Sequence, residues 1–249
     1  MNNTSAFTVI IPAYNEETYL PETLNHLLAA ADLYSKETSR PIEMILVDNA
    51  STDRTAAIAA ESGLKVIREE RRQIARARNA GAAHASGEIL LFCDADSHLH
   101  PRTFLAIADL LKNPRISGGG LRILPDDMTQ ARSIGLFLWN LISETFVLSG
   151  GNLFCRRAIF EEIRGFSEEY YIGEEVIFQM RLKKYSFKKG YRTALLPGCP
   201  IVTSMRKITD HGSLQYGWAV FRCFLFPWLA KRKSYCNLWS KVRQSPRGE

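Results

Sequence analysis

The chain has 249 residues, 46% of them hydrophobic and 23% charged, which excludes an intrinsically disordered or fibrous protein. Its 32 basic and 26 acidic residues give a net charge of +6, which favours anionic partners such as phosphates, nucleotides or an acidic membrane surface. The five cysteines are scattered without CxxC spacing, so we expect free thiols rather than a disulfide framework or a metal cluster.

The N-terminal stretch MNNTSAFTVIIP has no basic region ahead of its apolar run, unlike a signal peptide. No window of about 20 uninterrupted apolar residues occurs, so no membrane-spanning helix is predicted. We therefore expect a cytoplasmic protein, with peripheral contact at the inner face of the cytoplasmic membrane as an alternative. No nucleic-acid partner is expected, and the oligomeric state is left open.

The first part of the chain alternates short apolar runs, rich in β-branched residues, with segments of helical periodicity. Strands are predicted at 7–12, 42–47, 64–67 and 88–93, and helices at 19–31, 54–61 and 73–85. This alternation predicts parallel βαβ units in a doubly wound sheet. In such sheets, ligands bind outside the carboxyl ends of the strands.

Polar residues follow three of these strands, and their side chains should meet at one edge of the sheet. The first strand leads to Asn15 and Glu16, the second ends at Asp48, and the fourth ends at Asp94 and Asp96. In one interpretation these residues cap helices and turns. In the other, they surround an anionic nucleotide beside a helix N-terminus.

The stretch LLFCDADSHLHP carries the most specific chemistry. Residues i and i+2 of an extended segment point the same way, so Asp94 and Asp96 can bind one ligand. Mg²⁺ and Mn²⁺ prefer carboxylate oxygens and leave positions open for substrate phosphates. A solvated loop is the alternative, and we interpret His98 and His100 as loop residues.

The second part of the chain is less regular. A strand over 116–124 is predicted to begin with a flexible Gly118-Gly119-Gly120. Its other predicted elements are helices at 101–112 and 131–148, a strand to 155, helices to 163 and over 174–184, and a strand at 191–196. Beyond residue 200 the chain becomes basic and aromatic.

Three motifs in this order, PAYNEE, VDNASTDRT and ARARNAGAAHASGEILLFCDAD, resemble the nucleotide-sugar half of the family 2 glycosyltransferases. The resemblance covers about residues 7–200. It implies a GT-A fold, which is a Rossmann-like, mostly parallel central sheet flanked by helices, with a helical C-terminal extension on the acceptor side. We expect a domain over 1–205, divided near residue 100 into nucleotide-sugar and acceptor halves, followed by a basic aromatic extension over 206–249.

The resemblance also implies roles for individual residues. The nucleotide sugar would be held by Pro12, Ala13, Tyr14, Asn15, Glu16 and Asp48, with Arg78 and Asn79 near the diphosphate or base and Asp94, Ala95 and Asp96 at the metal–diphosphate. Asp94 and Asp96 would bind Mn²⁺ or Mg²⁺, and His211 is a weaker candidate for a third ligand, with a surface or capping role as its alternative. Gly151 and Asn152 are expected on the acceptor side.

The stretch GEEVIFQMRL resembles the family's Gly-Glu-Asp element, with Glu175 in the position of the aspartate. In the family that carboxylate is the general base that deprotonates the acceptor hydroxyl. Because Glu is one methylene longer than Asp, the change would shift the acceptor or move the base role to Glu174. The alternative is simply a charged first turn of a helix.

The resemblance therefore implies a metal-dependent inverting glycosyltransferase. It would move one sugar from a nucleotide-diphosphate donor, preferably a UDP-sugar, to an acceptor that includes lipid-linked or membrane-associated candidates. Segment 214–233 is interpreted either as a membrane-interfacial anchor or as core or oligomer packing. The rivals are a non-catalytic sugar-nucleotide-binding or membrane scaffold protein and a nucleotidyltransferase, which PAYNEET disfavours because it lacks a glycine-rich phosphate loop.

Overall fold

The structure is a computed structural model that describes residues 6–125, 150–203 and 229–231. The strands are β1 (Phe7–Ala13), β2 (Ile42–Asp48), β3 (Lys65–Arg68), β4 (Ile89–Phe92), β5 (Ser97–His98), β6 (Ile116–Pro125), β7 (Leu153–Arg156) and β8 (Arg192–Thr203). The helices are α1 (Leu20–Thr38), α2 (Thr55–Glu61), α3 (Ile74–Ala83), α4 (Thr103–Leu110), α5 (Arg157–Glu162) and α6 (Glu174–Lys188), with a 3₁₀ turn at Leu229–Lys231. The helix predicted over 131–148 lies outside the described residues, as do the boundary near 206 and most of the C-terminal extension.

The eight strands within the described residues form one sheet in the order β3-β2-β1-β4-β7-β6-β8-β5. The first four are mutually parallel, which confirms the doubly wound half predicted from the sequence. Strand β7 runs antiparallel to both β4 and β6, while β6 and β8 are parallel and β5 runs antiparallel to β8. The sheet is therefore parallel from β3 to β4 and mixed beyond β4.

Both faces of the central strand β1 are buried, because its side chains alternate between two apolar layers. Phe7, Val9 and Ile11 pack with α1 and α4 on one face. Ile10 packs on the other face against α3 and the aromatic cluster around Phe92 and Phe178. Burial on both faces explains why β1 is almost entirely apolar, and its one polar side chain, Thr8, is buried and donates to Glu43 Oε2 at 2.5 Å.

The three glycines of β6 lie inside the strand and not in a flexible lead-in, so that part of the prediction is wrong. A Cβ on Gly119 would lie 1.6 Å from the carbonyl oxygen of Ala194 in β8, and a Cβ on Gly118 would lie 2.4 Å from the carbonyl oxygen of Phe154 in β7. The glycines therefore permit a close approach between β6 and both of its neighbours.

Several predicted elements are longer in the structure. Helix α1 continues from the predicted end at 31 to Thr38 and buries Tyr34, and β8 continues from 196 to Thr203. The extension of β8 passes Gly198 in the left-handed region, at φ 72°, near a register shift against β6. His98, predicted in a loop, belongs to the two-residue strand β5. Within the described residues, no helix combines the length and apolarity needed to cross a membrane.

Candidate functional site

The loops that follow β1 and β2 are tied together at the carboxyl edge of the sheet. Ala13 and Asp48 are partners in the parallel register. The side-chain oxygen of Asn15 accepts a hydrogen bond from the Thr52 backbone N–H at 2.9 Å, and the Asn15 N–H donates to Ser51 Oγ at 3.0 Å. Helix α1 has no side-chain N-cap, so Asn15 fastens the second motif to the first and does not cap the helix.

Asp48 is buried and both of its carboxylate oxygens are engaged. Oδ1 accepts the Ser51 N–H at 3.0 Å, which closes the turn after β2, and Oδ2 accepts from Arg68 Nη1 at 2.9 Å. Within the chain, the contacts of Asp48 are therefore those of a residue that caps a turn. Its role toward a nucleotide stays a prediction, as does that of the buried Glu16, whose N–H donates to Thr55 Oγ1 at 2.8 Å.

A cavity of about 650 Å³ opens outside the carboxyl ends of β2 and β3. Its walls are formed by Ala50, Glu70, Arg71, Arg72, Gln73 and Tyr171. The guanidinium of Arg72 lies 4.2 Å from the ring centre of Tyr14 and donates to the Tyr14 hydroxyl. The first motif therefore lies next to two cations that line this cavity, Arg71 and Arg72, which belong to none of the three motifs.

The side chain of Asn49 shapes the arginine-bearing wall of that cavity. Its Nδ2 donates to the carbonyl oxygens of Glu69 at 3.0 Å and Arg71 at 2.7 Å, and its Oδ1 accepts the Gln73 N–H at 2.9 Å. The sequence indicates these arginines by the run EERRQ after the third strand. Cations that follow a strand end lie at the same edge of the sheet as the other motifs.

Arg78 connects the Asp94 end of β4 to the start of α6. Its side chain is only 2% exposed. Nη1 donates to Glu174 Oε1 at 2.6 Å and Nη2 donates to Asp94 Oδ1 at 3.0 Å. Burial alone would lower the pKa of Arg78, but the charges of Asp94, Glu174 and Glu175 raise it overall. One buried cation thus brings together residues that the sequence places 16 and 96 positions away from it.

The two predicted base candidates at the start of α6 lie in different environments. Glu174 is buried at 3% exposure, and desolvation together with the neighbouring charge of Glu175 raises its pKa to about 8 against the opposing effect of Arg78. Glu175 is half-buried. The preceding Gly173 adopts φ 72°, a left-handed conformation that glycine reaches without strain and that turns the chain into the helix.

The Asp94–Asp96 loop is held from two sides. The Asp94 N–H donates to Asn152 Oδ1 at 3.1 Å, and Asn152 Nδ2 donates to Ser97 Oγ at 3.2 Å. The hydroxyl of Thr23 in α1 donates to the carbonyl oxygen of Ala95 at 2.9 Å. Asn152, predicted on the acceptor side, therefore also holds the loop that carries the two carboxylates.

Gly151 packs directly against this loop. A Cβ at this position would lie 2.3 Å from Arg78 Nη2 and 2.4 Å from Asp94 Oδ2. Only glycine leaves room for the Arg78–Asp94 pair. The predicted site residue Gly151 thus has a steric role that the sequence alone did not indicate.

Helix α3 binds the segment that leads to α6. The Asn79 Nδ2 donates to the Phe166 carbonyl oxygen at 3.0 Å and its Oδ1 accepts the Phe166 N–H at 2.9 Å. Arg76 pairs with Glu168 at 2.5 Å, and Gln73 Nε2 donates to the Tyr170 carbonyl oxygen at 3.1 Å. The amide of Asn79 is thus used within the chain, and its predicted place near a diphosphate stays a prediction.

The described part of the C-terminal extension packs on the same segment. The Tyr171 N–H donates to the Ala230 carbonyl oxygen at 2.8 Å, and Lys231 pairs with Glu169 at 2.6 Å. Lys231 was predicted as part of a membrane anchor, and its ammonium group is engaged with a carboxylate of the chain. His211 and the remainder of 214–233 lie outside the described residues.

Comparison with known proteins identifies relatives of this chain. The family model described as "Glycosyl transferase family 2" matches residues 8–164. The poly(ribitol-phosphate) beta-N-acetylglucosaminyltransferase TarS of Staphylococcus aureus is 29% identical over 226 residues, which cover 84% of this chain and 37% of TarS. Glycosyltransferase AglE of Haloferax volcanii is 29% identical over 195 residues, which cover 73% of this chain and 62% of AglE. The chain thus corresponds to only part of the length of these relatives.

Solved structures share the fold. The structure of S. aureus TarS 1–349 in complex with UDP superposes with a TM-score of 0.63 at 24% identity, covering 87% of this chain and 65% of that one. The Pyrobaculum calidifontis mannosyltransferase PcManGT, in complex with GDP-Man and Mn²⁺, superposes with a TM-score of 0.67 at 20% identity, covering 99% and 66%. The fold is therefore GT-A, as the ordered motifs predict.

Proposed function

Because the chain belongs to glycosyl transferase family 2, we propose that it catalyses an inverting transfer of one sugar from a nucleotide-diphosphate sugar to an acceptor hydroxyl. The observation that carries this proposal is the pair of contacts made by Arg78. The buried guanidinium of Arg78 contacts both Asp94, which is proposed to bind the metal of the donor, and Glu174, at the start of the helix that is proposed to carry the acceptor chemistry. Such adjacency is what a single displacement between donor and acceptor requires.

The donor is proposed to bind across the cavity beside Arg71 and Arg72 and the loops of Asn15 and Asp48. Cations at the carboxyl ends of parallel strands suit an anionic diphosphate. The titles of the TarS and PcManGT structures report UDP and GDP-Man respectively, so nucleotide-diphosphate donors occur in proteins that share this fold. We favour a UDP-sugar, since TarS also has the higher sequence identity to this chain of these two proteins.

Mn²⁺ or Mg²⁺ is proposed to bind at Asp94 and Asp96, and the donor set fits such an ion. Both ligands are carboxylates, which hard divalent cations prefer. Oδ1 of Asp94 accepts from Arg78, whereas Oδ2 accepts no hydrogen bond from any described residue. The Asp94 side chain is 24% exposed, so it is accessible from the cleft. When bound, the ion would neutralise charge on the departing nucleotide diphosphate.

Glu175 is proposed as the general base. Its carboxylate would accept the proton of the acceptor hydroxyl while the acceptor oxygen bonds to the anomeric carbon. The bond from that carbon to the diphosphate oxygen breaks on the opposite face. The alternative base, Glu174, is buried and held by Arg78 at 2.6 Å, which supports a positioning role for it and leaves the half-buried Glu175 to meet the acceptor.

The test measures nucleotide binding and transfer separately in two single variants. Asp96→Ala should abolish the Mn²⁺-dependent part of the thermal stabilisation by UDP, GDP or dTDP. Glu175→Gln should keep that stabilisation but lose transfer from a panel of nucleotide sugars by about 10²-fold or more, as removal of a general base does. Slow metal-dependent donor hydrolysis provides the turnover readout while the acceptor is unidentified.

A matched control is Glu161→Gln, which alters an exposed carboxylate of α5 that pairs with Arg157 at 3.3 Å and does not line the cavity. It should leave turnover within a few-fold of the wild type. Full turnover in Glu175→Gln would refute the base assignment. A lipid-linked acceptor and membrane contact through 214–233 stay predictions, to be checked by sedimentation with anionic liposomes at low salt.

A further inference from the structure

A second cluster of metal-binding side chains lies on the α1 side of the Asp94–Asp96 loop. The side chains of Glu22 and His26 in α1 and of His98 in β5 each offer one ligand atom, and the three atoms all lie within 4.8 Å of one another. None of the three residues belongs to the proposed transfer chemistry, and none lies in the motifs that carry the family resemblance.

The positions follow from local geometry. Glu22 and His26 are four residues apart on a helix, so their side chains lie on one face, one turn apart. Strand β5 pairs with β8, with His98 opposite Val202, and this pairing holds the His98 ring against α1. The rings of His26 and His98 are stacked at 4.7 Å between centres with 13° between planes, and His98 Nε2 lies 3.9 Å from Glu22 Oε2.

The other contacts of these rings leave the ligand atoms available. Among the described residues, no hydrogen bond is made by the imidazole of His26, and Glu22 is the only residue that forms an ion-pair contact within 4.0 Å of the His98 ring. Glu22 is 68% exposed at its side chain, so its carboxylate can rotate freely. The cluster is open to solvent on one side, which gives an ion access and leaves room for a water ligand.

We propose that Glu22, His26 and His98 form a binding site for a borderline divalent transition ion, with Zn²⁺ as the foremost candidate. Two imidazoles and one carboxylate favour Zn²⁺, Co²⁺ or Ni²⁺ over Mg²⁺ or Mn²⁺, which prefer oxygen ligands. Three protein ligands leave a fourth position for water. The site is chemically distinct from the all-carboxylate pair Asp94 and Asp96, so the two select different ions.

Binding requires a small rearrangement that these side chains permit. Ligands around tetrahedral Zn²⁺ lie about 3.4 Å apart, given bonds of about 2.1 Å, so the three atoms must close by roughly 1 Å. An ion lies in the plane of each imidazole that binds it, so the stacked rings of His26 and His98 must also rotate. The terminal torsion of histidine is broad and costs little to change.

An ion at this site would join α1 to the strand that leaves the Asp94–Asp96 loop. Thr23, between Glu22 and His26, already donates to the Ala95 carbonyl oxygen at 2.9 Å. The ion would add a second connection between the same two elements, only two residues beyond Asp96. The site therefore has a structural role, stabilising the loop that presents the carboxylates.

The test uses the untagged full chain, stripped with a chelator and kept in excess Mg²⁺ so that all-oxygen sites are occupied. Titration with Co²⁺ should produce visible d–d absorption that saturates at one equivalent and is displaced by Zn²⁺. A Zn²⁺ excess of about 100-fold over the dissociation constant should raise Tm by roughly 5 °C or more. His26→Gln and His98→Gln should each weaken Zn²⁺ binding at least tenfold in calorimetry.

Two control variants make the result decisive. His84→Gln removes an exposed histidine at the end of α3, where its Nδ1 contacts the Ala80 carbonyl oxygen, and should bind Zn²⁺ like the wild type. Asp96→Asn should also keep the Co²⁺ spectrum. The proposal is overturned if His26→Gln and the wild type bind Zn²⁺ equally, or if the spectrum is lost in Asp96→Asn, which would move the ion to the carboxylate pair. Neither result depends on sugar transfer.

Discussion

Replacement of Arg78 by methionine, which keeps much of the side-chain length but removes the charge, should destabilise the fold strongly. Arg78 is 2% exposed at its side chain and holds Asp94 at 3.0 Å and Glu174 at 2.6 Å. Removing one partner from a buried ion pair costs about 3–5 kcal/mol because the other charge is left buried and uncompensated. We expect a value near the lower limit, since the pKa of Glu174 is about 8, so that carboxyl is already largely protonated at pH 7 and the charge left without its cation is mainly that of Asp94.

Urea denaturation at pH 7 measures the loss. With a slope of about 3 kcal/mol per molar urea, the midpoint should fall by roughly 1 M. The matched control is Arg54→Met, since the side chain of Arg54 is 69% exposed and pairs with Glu61 at 3.1 Å. Exposed pairs contribute roughly 0–1 kcal/mol, so this variant should unfold nearly as the wild type does.

A double-mutant cycle identifies the origin of the effect. In the Asp94→Asn background, Arg78→Met should cost at least about 1 kcal/mol less than in the wild type, because no carboxylate at position 94 then loses its cation. The reasoning is refuted if Arg78→Met costs no more than Arg54→Met, or if the cost is the same in both backgrounds.

Two other predictions concern the same cluster. The pKa of Glu174 rises from 4.5 to about 8 on folding, so its proton stabilises the native state fully below pH 4.5, and this stability is lost as pH rises through about 8. The free energy of unfolding of Glu174→Gln should therefore increase relative to that of the wild type between pH 5 and pH 8. A difference between the two proteins that stays constant in urea titrations across that range would contradict this. Gly151→Ala should lower turnover by roughly 10–100-fold, since its Cβ would displace Arg78 or Asp94. Among the described residues, a Cβ in the control Gly150→Ala would come within 4 Å only of the end of the Ile123 side chain, at 2.9 Å. Equal turnover in the two variants would show that the contact of residue 151 with Arg78 and Asp94 does not matter.

The sequence by itself determined the parallel half of the fold. Runs such as FTVIIP in β1 and LLFC at the end of β4 are buried on both faces, and this local chemistry identifies strands without knowledge of their partners. The polar residues that follow them, Asn15, Asp48 and Asp94, were correctly expected after strand ends because parallel βαβ connection brings those ends to one edge. The ordered motifs also identified the family.

Tertiary structure decided which of these polar residues contact one another. Asn15 binds the loop after β2 and Asn79 binds the backbone at Phe166, contacts that depend on the packing of distant segments. The antiparallel insertion of β7 between β4 and β6 brings Gly151 and Asn152 to the Asp94 loop. No local pattern encodes that insertion, because strand order is a property of the assembled sheet.

The physical reason is the range over which each effect acts. Periodicity and strand-end polarity are local and can be read within about ten residues, so elements and candidate residues follow from the sequence. The burial of Arg78 and the raised pKa of Glu174 arise only when segments far apart in the chain share one desolvated space. The approach of His98 to Glu22 arises only when β5 packs beside α1 at the surface. The sequence thus specified which residues could act, and the fold decided which of them act together.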